Sequence, residues 1–293
     1  MLSILIPIYN YSVEKLVEEL SGQCEALGIA YELLCYDDGS SATYLEANKH
    51  LAEIPSIVYR PLNSNLGRAK IRNLLARDAR YDFLIFLDCD SGILRSSFIR
   101  SYIDASTVSA VVNGGRIYKE ERPEDKYLLH WKYGHERESQ PAPVRMQYPI
   151  KYFHSNNFLI KKEVMLSHPF DESIAGYGYE DLQFASLLQQ NNISITHIDN
   201  PVIHLDLQEP KIFIQKAEKA IDNLIALEER GIYLGTHLQE LAQKIIKYKM
   251  RGLYLNLFRF GIKPFTKRLY TSKPSVKLLN LYKLNYYLEK KIW

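Results

Sequence analysis

The first 120 residues alternate between short apolar runs and longer stretches with helically spaced apolar side chains. Apolar runs over 3–9, 31–36, 56–59 and 83–87 predict four strands. Between these runs, apolar residues three and four positions apart predict helices over 13–27, 42–51 and about 67–79. This alternation is typical of a mostly parallel sheet with flanking helices, so the sequence predicts an α/β fold.

The pattern is less regular beyond residue 107. A fifth strand is predicted over 108–117, a sixth over 158–160, and 193–204 is expected to return to the sheet. The segment 119–144 is charged and contains prolines, which predicts a mobile excursion or a partly helical loop.

After residue 207 only helical patterns occur. One apolar stripe includes Ile221 and Leu224, and another includes Leu238, Ala242 and Tyr248. We therefore predict a sheet-containing domain over 1–206 and a helical, basic C-terminal extension over 207–293.

The net charge of +3 is unevenly distributed along the chain. From Lys244 to Trp293 there are 13 Lys or Arg residues and one acid, Glu289, whereas the first 243 residues carry 24 bases and 33 acids. The overall composition, 46% hydrophobic and 24% charged, excludes disorder, collagen and coiled coil as descriptions of the whole chain.

The cysteines and the apolar segments limit the class of protein further. Cys24, Cys35 and Cys89 lack metal-ligand spacing, which argues against a disulfide framework or a zinc site. No apolar stretch approaches the ~20 residues needed to span a bilayer, and the amino terminus lacks the basic region of a signal peptide. We expect a protein of the reducing cytosol.

Two carboxylates, Asp88 and Asp90, directly follow the predicted strand Phe83–Leu87. Open α/β sheets bind ligands at the carboxyl ends of their strands, and paired carboxylates can hold a divalent cation. A solvated strand end is the alternative, because Asp-x-Asp occurs by chance about once in a chain of this length. The buried run before the pair favours metal binding.

Asp37 and Asp38 also end a predicted strand, in the run Asp37-Asp38-Gly39-Ser40. These residue types are common in turns, so a simple turn is one interpretation. The other is a nucleotide pocket in which a carboxylate accepts hydrogen bonds from a base or ribose. A second acidic strand end in the same sheet favours the pocket, since nearby carboxylates repel one another without a cation or a donor-rich ligand.

Glu180 and Asp181 begin a predicted helix that runs to about residue 190. They could simply cap it and stabilise its dipole by ~1 kcal/mol. The preceding Tyr177 and Tyr179, each flanked by glycine, are expected to stack on sugar rings, and a carboxylate beside them is placed to act as a general base.

His204 ends another apparent strand. A hydrogen-bonded core histidine is the default interpretation of such a residue. With two aspartates available elsewhere, a third metal ligand is the alternative, whereas His197 keeps the core interpretation.

Taken together, five segments in order resemble the family 2 nucleotide-sugar glycosyltransferases. The segments are Ile6-Pro-Ile-Tyr-Asn10, Asp37-Asp-Gly-Ser40, Asn65-Leu-Gly-Arg68 with Ile71-Arg-Asn73, Phe86-Leu-Asp-Cys-Asp90 and Gly178-Tyr-Glu-Asp181. The resemblance covers about residues 1–206 and implies a nucleotide-diphospho-sugar transferase fold of the GT-A type with Mn²⁺ or Mg²⁺ as cofactor.

The resemblance implies a role for each matching position. Asp181 is implied as the catalytic base and Glu180 as a contact to the acceptor or donor sugar. Donor-binding positions are Pro7, Tyr9, Asp37, Asp38, Arg68, Arg72 and Asp88. The metal ligands are Asp90 and, less directly, Asp88. Because Gly176-Tyr-Gly-Tyr-Glu-Asp181 also resembles an element of chondroitin-type polymerases and β-1,4-galactosyltransferases, where a later histidine helps bind metal, His204 becomes the third.

Two departures from processive synthases point to an enzyme that adds one sugar per encounter. The Gln-x-x-Arg-Trp motif is absent, with Trp131 following His130 instead, and so is a membrane-spanning bundle. The resemblance implies an inverting transfer from a UDP-hexose or UDP-N-acetylhexosamine to a glycan or polyprenyl-linked acceptor, in surface polysaccharide synthesis. A nucleotidyltransferase would need a lysine-rich phosphate loop after the first strand, but that strand leads into Tyr9-Asn-Tyr-Ser12. The alternative function is a catalytically silent sugar-nucleotide binder or scaffold.

The basic tail, 244–293, also carries ten aromatic residues. Helices packing on the catalytic domain with solvated lysines are one interpretation. Basic faces with interleaved aromatics also suit an anionic membrane surface, and no nucleic-acid motif accompanies the charge. We predict peripheral association with the cytoplasmic face of the inner membrane, and no nucleic-acid partner.

Overall fold

The computed structural model describes residues 1–174 and 176–291, which form two compact units. We call them the sheet unit, residues 1–118, 139–174 and 180–206, and the helical unit, residues 119–138, 176–179 and 207–291. The predicted division between residues 206 and 207 did not anticipate that 119–138 and 176–179 group with the helical residues.

Within the described residues, the sheet unit contains a seven-stranded and a three-stranded sheet. The strands are β1 (Leu2–Ile8), β2 (Tyr31–Asp37), β3 (Ile57–Pro61), β4 (Phe83–Leu87), β5 (Ser91–Ile93), β6 (Val111–Asn113), β7 (Arg116–Ile117), β8 (Asn157–Lys161), β9 (Thr196–His197) and β10 (Val202–His204). The larger sheet has the order β3-β2-β1-β4-β8-β6-β9, and the smaller has the order β5-β10-β7.

The first four strands of the larger sheet run parallel, and β8 is antiparallel to both of its neighbours. The helices, in chain order, are α1 (Glu14–Ala26), α2 (Ala42–Asn48), α3 (Arg68–Asp78), α4 (Phe98–Ser106), α5 (Leu128–Tyr133), α6 (Ala142–Gln147), α7 (Lys162–Ser167), α8 (Glu180–Gln190), α9 (Pro210–Glu229), α10 (His237–Lys247), α11 (Arg251–Leu257) and α12 (Val276–Lys290). The predicted mostly parallel α/β fold with C-terminal helices is confirmed.

Strand β1 shows why the sheet is covered on both faces. Successive side chains of a strand point to opposite faces. Accordingly, Ile4 and Ile6 join the apolar cluster that contains Leu16 of α1, whereas Leu5 joins the cluster that contains Leu75 of α3. All of these strand residues are fully buried, which explains why the sequence reads as a continuous apolar run.

The predicted single strand over 108–117 is wrong. The structure has two short strands, β6 and β7, which belong to different sheets. Gly114 and Gly115 separate them, and Gly115 has a φ of +86°. A Cβ at Gly115 would lie 2.7 Å from Cζ of Arg145, so the chain turns where only glycine fits.

Two other irregular segments differ from their predictions in detail. The segment 119–144 is largely helical, with a 3₁₀ turn at Asp125–Tyr127, helix α5, a π-helical turn at Gly134–Glu138 and the start of α6. The return of 193–204 to the sheet is made by two short strands, β9 and β10, one in each sheet.

The helical unit has its own apolar core. Ile221 and Leu224 of α9, Ala242 of α10 and Leu284 and Leu288 of α12 are buried together. Helices α9 and α10 therefore use residues of their predicted apolar stripes to pack within the unit, and α12 supplies a third apolar face that was not predicted.

Tyr248 departs from its predicted apolar stripe. It follows the end of α10 and is 68% exposed. Among the described residues, no helix combines the length and the apolar character needed to cross a bilayer. Trp293, counted in the predicted basic tail, lies outside the described residues.

Candidate functional site

Strands β1, β2 and β4 are parallel neighbours, so their carboxyl ends meet at one edge of the larger sheet. Tyr9 follows β1 and Asp88 follows β4. Asp37 is the last residue of β2, and Asp38 follows it. Such an edge is where open α/β sheets bind ligands. Tyr9, Asp37, Asp38 and Asp88 therefore lie at or just beyond the carboxyl ends of neighbouring strands, and their roles stay predictions.

Asp90 and His204 are brought together by the three-stranded sheet. Strand β5 begins one residue after Asp90, and β10 ends at His204, with Ser91 and His204 in register in the antiparallel pair. As a result, Nδ1 of His204 lies 3.1 Å from Oδ2 of Asp90. Both side chains are only 13–16% exposed, so the carboxyl group of Asp90 and the imidazole of His204 form a largely buried pair at the end of β10.

Two arginines of α3 hold the carboxylate of Asp88. The side chain of Arg72 donates to Oδ1 of Asp88 at 2.5 Å, and that of Arg68 donates to Oδ2 at 3.3 Å. Burial opposes ionisation of Asp88, but the two guanidinium groups outweigh it and lower the pKa of Asp88 to about 2. Arg72 is 1% exposed, so it holds Asp88 in position from the buried side of that carboxylate.

Arg68 also reaches the first residue of α8. Its Nε donates to Oε1 of Glu180 at 2.5 Å. Burial, followed by the neighbouring charge of Asp181, raises the pKa of Glu180, while Arg68 lowers it. Arg68 therefore links the predicted donor-binding carboxylate Asp88 to the predicted sugar contact Glu180.

Asp181 is held by Ser155, a residue that the sequence analysis missed. The backbone N–H of Ser155 donates to Oδ2 of Asp181 at 3.1 Å, and its hydroxyl donates to Oδ1 at 2.6 Å. Ser155 is fully buried in the polar stretch just before β8. That stretch between Phe153 and Phe158 was the available signal, because a buried strand is rarely preceded by several polar residues without partners.

Asp37 and Asp38 accept hydrogen bonds from the backbone of nearby turns. Oδ1 of Asp37 accepts from Ser40 N at 2.7 Å. The two oxygens of Asp38 accept from Leu66 N at 2.6 Å and from Gly67 N at 3.0 Å. Burial raises the pKa of Asp38, and these backbone bonds lower it. The turn interpretation accounts for these bonds, and the predicted nucleotide contacts stay predictions.

The loop after β1 is tied to the same turn. Pro7 lies within β1, while Tyr9 is exposed at its end. Asn10 has a φ of +50°, donates from its backbone to Ser40 Oγ at 2.7 Å and accepts at its side chain from Ser41 N at 2.9 Å. The loop is therefore braced, and Tyr9 points its ring away from the core.

Tyr177 and Tyr179 belong to the helical unit. Nζ of Lys216 lies 5.3 Å from the ring centroid of Tyr177, and Tyr179 packs against the apolar core of the unit. Gly178 has a φ of +103°, and a Cβ there would lie 2.3 Å from Cβ of Ala220. Close packing against α9 thus explains this glycine, and sugar stacking by the tyrosines stays a prediction.

The donor atoms of the sheet unit fit a divalent cation only in part. Within residues 1–174 and 176–291, no three His, Cys, Asp or Glu side chains lie close enough to hold a metal by themselves. Asp90 and His204 offer an oxygen and a nitrogen side by side, while Asp88 is engaged by arginines. Such a pair suits a cation that completes its coordination with oxygens of a bound diphosphate.

The fold is similar to that of several solved structures, among them the following two. The mannosyltransferase PcManGT from Pyrobaculum calidifontis, in complex with GDP-Man and Mn²⁺, matches with a TM-score of 0.54 and 15% identity over 78% of this chain. The mannosyl-3-phosphoglycerate synthase from Rubrobacter xylanophilus matches with a TM-score of 0.56 and 14% identity over 79% of this chain. The matched region spans 64% of the first protein and 75% of the second.

At these identities the two structures bear on the fold alone. The sequence itself carries the family assignment, because the model of glycosyl transferase family 2 matches residues 3–168, more than half of the chain. The chain belongs to glycosyl transferase family 2.

Proposed function

We propose that the protein transfers one sugar from a nucleoside-diphosphate donor to a hydroxyl group of an acceptor, with inversion at the anomeric carbon. One observation carries the proposal: a family 2 chain holds Asp181 through two hydrogen bonds from Ser155 in the unit that also holds the Asp88–Arg68–Glu180 linkage. That arrangement supplies a fixed carboxylate for the attacking hydroxyl and a cationic side chain for the departing diphosphate.

Asp181 acts as the general base. Its carboxylate takes the proton of the acceptor hydroxyl while the oxygen attacks the anomeric carbon and the bond to the diphosphate breaks. The hydrogen bonds from Ser155 fix the orientation of the carboxylate and leave each oxygen with further acceptor capacity. No covalent enzyme intermediate is needed for this single displacement.

Arg68 serves the donor diphosphate. Its guanidinium bonds Asp88 and Glu180, and about a third of the side chain is exposed, so it can exchange a carboxylate contact for a phosphate oxygen. Glu180 then contacts a sugar hydroxyl. Arg72 contributes through Asp88, since its own guanidinium is buried.

Mn²⁺ or Mg²⁺ is the proposed cofactor, held by Asp90 and His204 with Asp88 nearby. When bound, the cation supplies positive charge against the departing diphosphate. The oxygen and nitrogen donors of the pair support this, and so does the Mn²⁺ found with GDP-Man in the mannosyltransferase of similar fold.

The proposed donor is a UDP-hexose or a UDP-N-acetylhexosamine. Asp37, Asp38, Pro7 and Tyr9 lie at or beside the strand ends where a base and ribose bind in open α/β sheets. The mannosyltransferase of similar fold binds GDP-Man, which makes a guanine nucleotide the second donor to test.

The proposed acceptor is a glycan or a polyprenyl-linked intermediate of surface polysaccharide synthesis, and Tyr177 and Tyr179 are the proposed sugar-stacking residues. We place the enzyme in the cytoplasm, at the cytoplasmic face of the inner membrane, with the basic tail 244–293 against anionic lipid. The unequal charge of the tail supports this location.

The alternative is a catalytically silent sugar-nucleotide binder. A screen of UDP-, GDP- and dTDP-sugars, with and without Mn²⁺, separates the two by measuring binding and slow hydrolysis together. We expect metal-dependent binding accompanied by hydrolysis. Binding without turnover on any donor or acceptor would instead favour the silent binder, and NMR of the product that showed retained anomeric configuration would contradict the single displacement.

A further inference from the structure

A row of apolar side chains in the helical unit faces solvent. It begins just before α11 and continues into the π-helical turn Phe258–Ile262. Its members are Met250, Leu253, Leu257 and Phe260, which are 47%, 64%, 60% and 73% exposed, respectively. Their separations of three, four and three residues place them along one side of the helical segment. We call these four residues the apolar row.

The opposite side of the same segment is firmly packed. Phe258 is 3% exposed and its ring stacks on that of Tyr254 at 6.5 Å. The hydroxyl of Tyr254 donates to Leu281 O at 3.1 Å, and Nε of Arg251 donates to Leu288 O at 3.0 Å. The segment is thus fixed to α12, and the apolar row is an ordered outer face of the unit.

Single exposed apolar residues are common on protein surfaces, but a row of four large ones on one helical face is typical of an interaction site. The 3₁₀ segment Lys263–Tyr270 that follows also contains two exposed aromatic residues, Phe265 and Tyr270, each 57% exposed. This face therefore needs a partner that accepts apolar side chains.

The charge around the apolar row indicates which partner fits. Residues 241–288 contain no Asp or Glu, and eight Lys or Arg residues lie between Lys244 and Arg268. One of them, Arg259, lies with its guanidinium 5.5 Å from the ring centroid of Phe260. An apolar stripe flanked by basic residues matches the headgroup region of an anionic bilayer, whereas a second copy would bring two strongly basic faces together.

We propose that the apolar row inserts between the headgroups of an anionic bilayer, with the surrounding lysines and arginines on the lipid phosphates. The inference rests on the membrane location in the proposed function and is independent of the transfer chemistry. It differs from simple adsorption of a basic tail in one respect: charge attraction is screened by salt, and apolar insertion is not.

The test uses the full chain with vesicles of phosphatidylglycerol and phosphatidylcholine, and with phosphatidylcholine alone. The variant Leu253→Ser/Leu257→Ser/Phe260→Ser removes three of the four side chains of the apolar row, leaving Met250, without changing the charge. Its matched control is Val58→Ser/Val108→Ser/Leu166→Ser, three exposed apolar residues of the sheet unit. We expect the first variant to lose at least tenfold in partitioning to anionic vesicles, and the control to bind as the parent does.

A second measurement detects insertion directly. Phe260→Trp should shift its emission to the blue with anionic vesicles and be quenched by brominated acyl chains, whereas Val108→Trp should not respond. Equal vesicle binding by the parent and the Leu253/Leu257/Phe260 variant would overturn the proposal. If light scattering also showed that the parent is a dimer and this variant a monomer, a second copy of the chain would be the partner that covers the apolar row.

Donor hydrolysis measured without vesicles keeps this test separate from the proposed function. The Leu253/Leu257/Phe260 variant should hydrolyse donor at the parent rate, so a failure of membrane insertion leaves the transferase proposal intact. Conversely, a chain that binds anionic vesicles through the apolar row and never turns over a donor would contradict the transferase proposal alone.

Discussion

Nδ1 of His204 lies 3.1 Å from Oδ2 of Asp90, although the two residues come from distant parts of the chain. The pairing of β5 with β10 produces this contact, since β5 starts after Asp90 and β10 ends at His204. A carboxylate and an imidazole at this distance can share a proton or bind the same cation.

The first prediction concerns metal affinity. His204→Gln removes the proposed nitrogen ligand, so we expect Mn²⁺ to bind at least tenfold more weakly in the presence of UDP, measured by electron paramagnetic resonance of free Mn²⁺. His50→Gln is the matched control, because His50 forms an exposed contact of 3.3 Å with Glu14. Unchanged Mn²⁺ affinity in His204→Gln would remove His204 from the proposed ligands.

Ser155 supports the second prediction, as a positioning residue for Asp181. Ser155→Ala removes the hydroxyl bond to Asp181 and keeps the backbone bond. We expect kcat to fall about tenfold, with little change in KM for the donor, because the base is less well oriented and donor contacts persist.

Ser109→Ala is the control for the Ser155 variant. Ser109 is also buried, and its hydroxyl bonds Val111 O at 2.9 Å. Loss of such a bond costs about 1 kcal/mol of folding stability in either variant. An equal loss of stability with equal kcat in the two variants would mean that Ser155 is only structural.

Much of the sheet unit follows from the sequence. The strand predicted at Phe83–Leu87 matches β4 fully, and the bounds of β1, β2 and β3 differ from the predicted ones by one or two residues. These elements are recognisable because each carries its own apolar periodicity. The carboxylates at their ends were found for the same reason, since the end of a parallel strand defines the ligand-binding edge.

The rest depends on contacts that local sequence does not encode. Strand β5 has three residues, too few for a periodic signal, yet it fixes the geometry of Asp90. Ser155 was missed because only the folded chain brings it to Asp181. The strand break at Gly115 was overlooked for the same reason. The side chain of Arg145 packs where a Cβ of residue 115 would lie, and Arg145 is distant in the sequence.

The third prediction concerns the buried pair of Arg72 and Asp88. Arg72→Met removes the bond to Oδ1 of the largely buried Asp88 and leaves the bond from Arg68 to Oδ2. We therefore expect a loss of about 3 kcal/mol in the free energy of unfolding. Urea unfolding measures it.

Arg77→Met is the matched control for Arg72→Met, because Arg77 is half-exposed and lies 3.7 Å from Glu172. That pair should contribute less than ~1 kcal/mol. Similar losses in the two variants would show that the buried pair is not a main support of the site.

The fourth prediction is a pH dependence of stability. His197 is buried beside Arg145 and His154. Burial first, and then the charges of these two residues, lower its pKa from 6.5 to about 4, although its hydrogen bond to Pro149 O raises the pKa. The unfolded chain therefore binds a proton between pH 6.5 and 4 that the folded chain does not. The stability contributed by neutral His197 is complete above pH 6.5 and is lost as the pH falls toward 4.

The variant His197→Gln isolates this effect. The ring of His197 accepts from the Arg145 guanidinium and bonds Pro149 O at 3.0 Å, and glutamine can replace part of these contacts without titrating. We expect the unfolding free energy of the parent to fall more steeply than that of the variant between pH 6.5 and 4. Parallel curves would show that His197 does not titrate differently in the two states.

The fifth prediction concerns Asp181, the proposed base of the sugar transfer. Asp181→Asn keeps the size of the side chain and an oxygen that can accept from Ser155, while removing the negative charge. The most direct test measures donor affinity by calorimetry and turnover by release of nucleoside diphosphate, in the same preparation of this variant. If Asp181 is the base, donor affinity stays within about threefold of the parent and turnover falls by about 10²–10⁴. Turnover equal to that of the parent would contradict this role.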